Sequence, residues 1–394
     1  MTPAVRSHSC CDGSSPERRQ AEAILGLCAR AVGNPDQYCR LVVETDSFTG
    51  WRGLPAKAEL HGLGPLLYTH LKATDSLAPV DVWREIKGLY LRHRRANQLR
   101  ADAMQEILKA FEATSIQSLA LKGIALAHLV YPEPGLRPMR DIDLLVSEPD
   151  LQKAEQTLTQ LGYRSDEGQA RLLPPKHHHI PALGREVEGM NLNVELHHRL
   201  YPEVYYYPSY SFSELAERAT PFQLNGLEAR TLSYEDLLEH VYRHALGPPL
   251  LGSNLRYVWI ADLVSLVEKY ADSIDWERLK SQSPSTYNIL PLLHFLTPWP
   301  EDILLRLPFK IPSKPKDVGQ DYRGWPRRRL AGRRRESVQM ILRETFSPPE
   351  WWLRLFYGVG DRRSWLWNRW VRHPLHVMQW VGHYAKVELF NQGA

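Results

Sequence analysis

Asp141 and Asp143 stand on either side of Ile142 in the stretch GLRPMRDIDLLV, residues 135–146, and an apolar run follows them. In an extended strand residues i and i+2 share a face, so the two carboxylates project together while Ile142 and Leu144 enter a core. Two like charges held that close repel unless a cation lies between them. Mg²⁺ suits such a pair, because it keeps several waters and takes one or two carboxylates plus substrate phosphates. A solvated strand end beside an arginine is the competing reading of a bare Asp-x-Asp.

Two other stretches favour the metal. LALKGIAL, residues 119–126, reads as a strand, a Lys122-Gly123 turn and the start of a helix. Backbone N–H groups and a helix N-terminus meet a phosphate in that arrangement, and Lys122 can reach the same phosphate chain. NVELHHRL, residues 193–200, sends Val194 and Leu196 one way and Glu195 and His197 the other. A third carboxylate then stands beside the pair, and the side chains of Asp141, Asp143 and Glu195 are expected to converge on one side of a sheet. Three carboxylates and a phosphate turn are what two-metal nucleotidyl transfer requires. Charge repulsion further predicts that Asp143→Asn leaves the melting temperature unchanged or raised.

Arg137 and Arg140 flank the pair, and at least one should neutralise it when no metal is bound. For Arg137 a structural salt bridge and a phosphate contact are both open; for Arg140 the salt bridge is favoured. His197 shares the face of Glu195, where it either orients that carboxylate, touches substrate or sits at the core edge. His177, His178 and His179 form a metal-like cluster in the sequence, but neighbours on a strand alternate faces, which argues against all three ligating one ion.

The elements that must position these groups follow from periodicity. Residues 1–17 are polar and unpatterned, and a helical region is expected over 18–113, including one long helix over 80–113 with Met104, Ile107, Leu108 and Phe111 on one face. Strand, helix, strand, helix, strand, strand is the order over 114–215, a small mixed α/β core. Helical patterning returns over 216–300, where Ser233 is the expected cap of the first helix. A Pro- and Lys-rich linker then leads into a basic, Trp-rich segment within 301–394. From Glu301 onward there are 18 Lys and Arg against 9 Asp and Glu, and seven of the twelve tryptophans. RGWPRRRLAGRRR alone carries seven arginines. That segment reads as a contact to nucleic acid, an anionic membrane surface, or a closing helical segment with solvated arginines. The linker predicts that the chain from about Asp317 is dispensable for chemistry but needed to reach the natural acceptor.

The composition excludes several classes. No apolar run has the length of a spanning helix or a signal peptide. Cys10, Cys11, Cys28 and Cys39 show no C-x-x-C spacing, which argues against a disulfide framework or a zinc site and predicts a reducing, cytoplasmic setting.

On LKGIALAHLVYPEPGLRPMRDIDLLV, NVELHHRL, AELHGLGPLLYTHL and LRYVWIADL, the sequence resembles the nucleotidyltransferase superfamily with its DNA polymerase β-like palm. More narrowly, it resembles the bacterial uncharacterised nucleotidyltransferases, many of them encoded within biosynthetic gene clusters. The resemblance covers roughly residues 25–300. It implies an α+β fold, a small mixed-sheet core flanked by helical N-terminal and C-terminal domains. It also implies transfer of a nucleoside monophosphate from a nucleoside triphosphate (NTP), with Mg²⁺ or Mn²⁺, to a small molecule, peptide or protein acceptor. The implied roles are Asp141 and Asp143 as metal ligands, Glu195 as third carboxylate, metal ligand and base, and Lys122, Gly123 and Arg137 near phosphate, with His197 beside them. The superfamily turn is Gly-Ser or Gly-Gly; here Ile124 follows Lys122-Gly123 and the phosphate-binding hydroxyl is absent. A degenerate core that binds nucleotide or a partner protein without turnover, and a nucleic-acid-associated protein using the basic C-terminal segment, are the alternatives.

Overall fold

The computed structural model describes residues 16–165, 177–202, 209–246, 255–327, 338–360 and 362–391, without the side chains of 362–363 and 383–391. The expected polar terminus lies outside the described residues up to position 15, as do Cys10, Cys11 and most of the arginine-rich run.

Helices form the first layer: α1 (Pro16–Leu27), α2 (Pro35–Asp46), α3 (Leu54–His61), α4 (Gly64–Ala73) and α5 (Val80–Ala113). α5 is the predicted long helix, and its buried stripe includes Met104, Ile107 and Phe111. The core follows with β1 (Ser118–Leu121), α6 (Lys122–Leu129), β2 (Asp141–Val146), α7 (Leu151–Gln160), β3 (Arg164–Ser165), β4 (Leu183–Val187) and β5 (Met190–His197). Then come α8 (Phe212–Glu217), β6 (Thr220–Leu224), β7 (Leu227–Thr231), α9 (Tyr234–Ala245) and α10 (Tyr257–Tyr270). Ser233 caps α9 as expected, its hydroxyl accepting from the Asp236 N–H.

The sheet runs β3-β4-β5-β2-β1-β7-β6. β2 is central, antiparallel to β1 and parallel to β5, with Asp141 opposite Asn193 and Asp143 opposite Glu195. Its residues from Ile142 to Val146 are buried, so both faces of the strand are covered, and one slip of register would turn Asp141 and Asp143 to the face that holds Ile142 and Leu144. The hairpin β6–β7 lies in the stretch that the sequence reading assigned to a helical domain. Asn225 (φ 49°) and Gly226 (φ 80°) both adopt the left-handed conformation that a tight two-residue hairpin demands. β7 then pairs in parallel with β1, so the sheet extends beyond residue 215.

The helices after the sheet, α11 (Trp276–Gln282), α12 (Pro284–Leu293) and α13 (Glu301–Leu304), lead to α14 (Val338–Phe346) and α15 (Glu350–Tyr357). α16 (Arg362–Trp367) continues through a π turn into α17 (His373–Asn391). Here the expectation of a separable tail is corrected. Trp351 and Trp352 are both 0% exposed; Trp351 joins the main core, and Trp352 stacks on Tyr322 with ring centroids 4.5 Å apart. The Tyr242 hydroxyl of α9 donates to the Leu355 carbonyl at 3.0 Å. Apolar burial at these tryptophans makes the segment part of the fold. Among the described residues no helix is long and apolar enough to cross a membrane.

Trp352→Ala should therefore lower stability by about 3–5 kcal/mol in a denaturant titration, since the vacated indole volume cannot be refilled. A midpoint equal to that of the unmodified protein would return α15 to the status of a peripheral appendage.

Candidate active site

Three adjacent strands bring the functional side chains together. Lys122 begins α6 directly at the end of β1, Asp141 and Asp143 open β2, and Glu195 and His197 close β5. Ligand atoms of Asp143, Glu195 and His197 lie within 4.8 Å of one another, as the alternation of β5 predicts.

The two aspartates differ in their surroundings. Asp143 is 1% exposed, and its Oδ1 accepts from Lys122 Nζ at 2.7 Å and from His197 Nε2 at 2.9 Å. Burial alone would raise its pKa; the Lys122 charge and the His197 hydrogen bond outweigh that and hold it well below the usual carboxylate range. Glu195 is also held down, against burial, by the His197 hydrogen bond and Lys122; its Oε2 lies 3.5 Å from His197 Nε2 and 3.9 Å from Lys122 Nζ. Burial works against the Lys122 charge, but Asp143 and Glu195 raise its pKa in turn. The Asp141 carboxylate has no hydrogen bond or ion pair among the described residues. Burial, then repulsion by Asp143 and Glu195, pushes its pKa up to about 6. The repulsion expected at Asp143 is thus felt at Asp141, because Lys122 and His197 both stand on the Asp143 side.

This donor set fits a hard divalent cation. Asp141 and Asp143 are same-face carboxylates, one of them uncompensated, while the Lys122 ammonium fills the space between Asp143 and Glu195.

Lys122 has φ 47°, a left-handed conformation that costs a non-glycine residue of order 1–3 kcal/mol. Gly123 is required for packing: a Cβ there would meet Arg137 Nη1 at 2.6 Å and Met139 Cβ at 2.8 Å.

For Arg137, where a salt bridge and a phosphate contact were both open, the structure shows the salt bridge; Arg140, where the salt bridge was favoured, has none among the described residues. Arg137 is buried and spans Asp262 with Nε–Oδ1 3.2 Å and Nη2–Oδ2 2.7 Å, while Nη1 donates to the Pro138 carbonyl at 3.1 Å. Each of its nitrogens thus has a protein acceptor, which draws the guanidinium away from an incoming phosphate. Arg140 is exposed and its side chain has no ion pair among the described residues.

His177, His178 and His179 are half-buried and gather their rings, with centroids 4.2 to 4.8 Å apart. The alternation expected of a strand does not apply, because only His179 takes part in a bridge, to His197. Burial lowers the pKa of all three, that of His179 to about 4.

A cavity of about 420 Å³ is lined by Lys122, Gly123, Arg137, Arg140, Asp141 and Asp143 together with residues of α3 and α10. Leu60, Arg140, His244, Arg256 and Trp259 also line a second cavity of about 1320 Å³, which makes the two contiguous. Eight Lys and Arg line the larger one against four Asp and Glu. Sequence reasoning passed over His244, Arg256, Trp259 and Asp262; the stretch LRYVWIADL was read as helical and as part of a resemblance, and its apolar helical pattern hides which polar members face inward.

An α/β sheet with carboxylates on neighbouring strands at a phosphate-type turn is the architecture of a nucleotidyltransferase core. The uncharacterised nucleotidyltransferase family matches residues 48–297, and the chain belongs to it. A search of curated proteins finds no match. Among solved structures, the chain is similar to the antibiotic-resistance factor ANT(2'')-Ia in solution, with 16% identity, 50% of this chain and 98% of that one covered, and a TM-score of 0.33. The crystal structure of ANT(2")-Ia in complex with adenylyl-2"-tobramycin gives 19% identity, coverage of 48% and 97%, and a TM-score of 0.33. An antigenic nucleotidyltransferase-like protein from Paracoccidioides brasiliensis gives 15% identity, coverage of 52% and 91%, and a TM-score of 0.30.

In metal-free protein Asp141→Asn should raise the Tm and Asp143→Asn should lower it. The Asp141 pKa is raised from 3.8 to about 6, so the cost of its charge builds up as pH rises through that interval. The gain from Asp141→Asn should therefore be full above about pH 6 and vanish toward pH 4 in thermal melts. A Tm raised by Asp143→Asn would show that Lys122 and His197 do not compensate that carboxylate.

Proposed function

We propose that the protein transfers a nucleoside monophosphate from an NTP to an acceptor that carries negative charge. The observation that supports transfer is the gathering of Asp143 with Glu195 and His197, with Asp141 on the same strand, beside the Lys122-Gly123 turn, where Asp141, Asp143 and the turn line a cavity. Asp141 and Asp143, with Glu195, would hold Mg²⁺ or Mn²⁺, which when bound polarises phosphate oxygens and stabilises the charge that develops in transfer. Lys122 supplies positive charge at the turn where the phosphate chain meets the start of α6. The acceptor oxygen forms a bond to the α-phosphorus as the bond to pyrophosphate breaks, and the acceptor proton passes to Glu195, which His197 and Lys122 keep ionised. The buried Arg137–Asp262 pair holds the cavity wall against Gly123 instead of binding substrate.

The acceptor class follows from charge. The larger cavity carries a cationic excess, and Arg40, Arg140 and Lys314 in its wall have no ion pair among the described residues. A phosphorylated or carboxylated acceptor is matched by such a wall, and a polycationic one is repelled. A second reading, nucleotide binding without turnover, draws on the Lys122 ammonium that already fills the gap between Asp143 and Glu195.

The test is incubation with each α-labelled NTP and Mg²⁺, with and without cell extract fractionated by ion exchange, reading pyrophosphate release and label transfer. Transfer should require the divalent ion, follow the anionic fractions, and fall by at least about a hundredfold in Asp143→Ala. Arg140→Ala should raise KM for the acceptor more than it lowers kcat. NTP binding without pyrophosphate from any fraction selects the second reading, and transfer confined to cationic fractions removes the acceptor class.

A further inference from the structure

His177, His178 and His179 take no part in the transfer described above, yet they are gathered and anchored. The His178 carbonyl accepts from the N–H groups of His198 at 3.0 Å and Arg199 at 3.3 Å. His198 Nε2 donates to the His177 carbonyl at 2.9 Å. The backbone of the three residues is therefore clamped to the end of β5, and ring positions are limited to side-chain rotation.

Their nitrogens are arranged as ligands are. One ring nitrogen from each lies within 4.8 Å of those of the others. His177 Nδ1 and His178 Nδ1 are buried with no hydrogen-bond partner among the described residues, a costly state for a polar atom that nothing occupies. His179 Nδ1 donates to the Ile180 carbonyl at 2.8 Å, which leaves the lone pair on Nε2. A backbone carbonyl on the far nitrogen is the device that fixes the tautomer and aims the ring of a metal-bound histidine. That Nε2 lies 3.9 Å from Glu195 Oε2, so a carboxylate stands beside the open side of the cluster.

We propose that His177, His178 and His179 hold a borderline divalent metal ion of the Zn²⁺ type, separate from the hard cation of the aspartate pair. Three imidazoles and an open position form a known zinc geometry, in which Zn–N distances of about 2.0–2.1 Å are reached by drawing the rings inward. Imidazole ligands favour zinc, copper, nickel and iron, while Mg²⁺ keeps to oxygen, so the two sites select different ions although they adjoin. The ion would pin the segment that enters β4 against His197, the residue that holds Asp143.

The test uses full-length protein stripped by chelator and titrated with Co²⁺ without nucleotide, in excess Mg²⁺, reading visible absorption and then displacement by Zn²⁺. One Co²⁺ per chain, retained against Mg²⁺ and displaced by Zn²⁺, is expected. The double change His177→Ala and His178→Ala should weaken binding by at least about a hundredfold, since it removes two ligands and outer-shell partners alone are worth about 10–100-fold. His177→Ala alone serves the same comparison should the double variant fail to fold. No Co²⁺ bound in Mg²⁺, unchanged affinity in the histidine variants, or a signal abolished by Asp143→Asn and Mg²⁺ instead, would overturn the assignment. Because no nucleotide enters the measurement, a protein that binds Zn²⁺ and releases no pyrophosphate would leave this site standing and remove the proposed transfer.

Discussion

A single buried carboxylate organises the centre of this molecule. Asp143 is almost without solvent, and an ion in that position costs on the order of several kcal/mol before it is paired. Its compensation comes from both neighbouring strands: Lys122 at the end of β1 and His197 at the end of β5. The strand order β5-β2-β1 is therefore also the order of a charge network. A shift of either neighbour by one residue would turn its polar group to the other face and leave Asp143 with one of its two partners. The left-handed backbone at Lys122 fits the same logic, since it accompanies an ammonium that must turn back over β2 from the first residue of a helix.

Compensation at Asp143 leaves its neighbour unmatched. Asp141 shares the face but has no partner of its own, so the pair is neutralised on one side and electrostatically open on the other. An incoming cation gains most where charge is least compensated. Beyond the pair the sign reverses, and the larger cavity is cationic. Negative charge at the bottom and positive charge on the approach suit a metal beneath a polyanion.

The helical layers serve this arrangement. α10 reaches into the site twice, with Asp262 to hold Arg137 and with Trp259 in the cavity wall. Tyr131 donates to the same Asp262 at 2.8 Å, so a second buried network supports the loop before β2. At the far end, α15 places Trp351 in the main core and Trp352 in a smaller C-terminal cluster with Tyr322 and Trp380, and Trp351 ties this segment into the body that carries the site.

What the sequence by itself determined was local. The two-residue period of β2 and β5 put Asp141 with Asp143 and Glu195 with His197, and the Lys122-Gly123 turn, the long α5 and the Ser233 cap were legible from neighbouring residues. Asn225-Gly226 carried an equally local hairpin signal, which the apolar helical pattern after it obscured. What only the tertiary structure decided was which charges and rings meet. Arg137 finds Asp262 across 125 positions, and Thr231 Oγ1 finds the Ala120 carbonyl across 111. The chain around three consecutive histidines leaves the strand pattern and gathers their rings, and an Arg- and Trp-rich stretch buries two indoles. Backbone periodicity depends on residues a few positions apart; the partner of a buried charge depends on whatever the folded chain brings within hydrogen-bonding distance, and no spacing along the sequence encodes that.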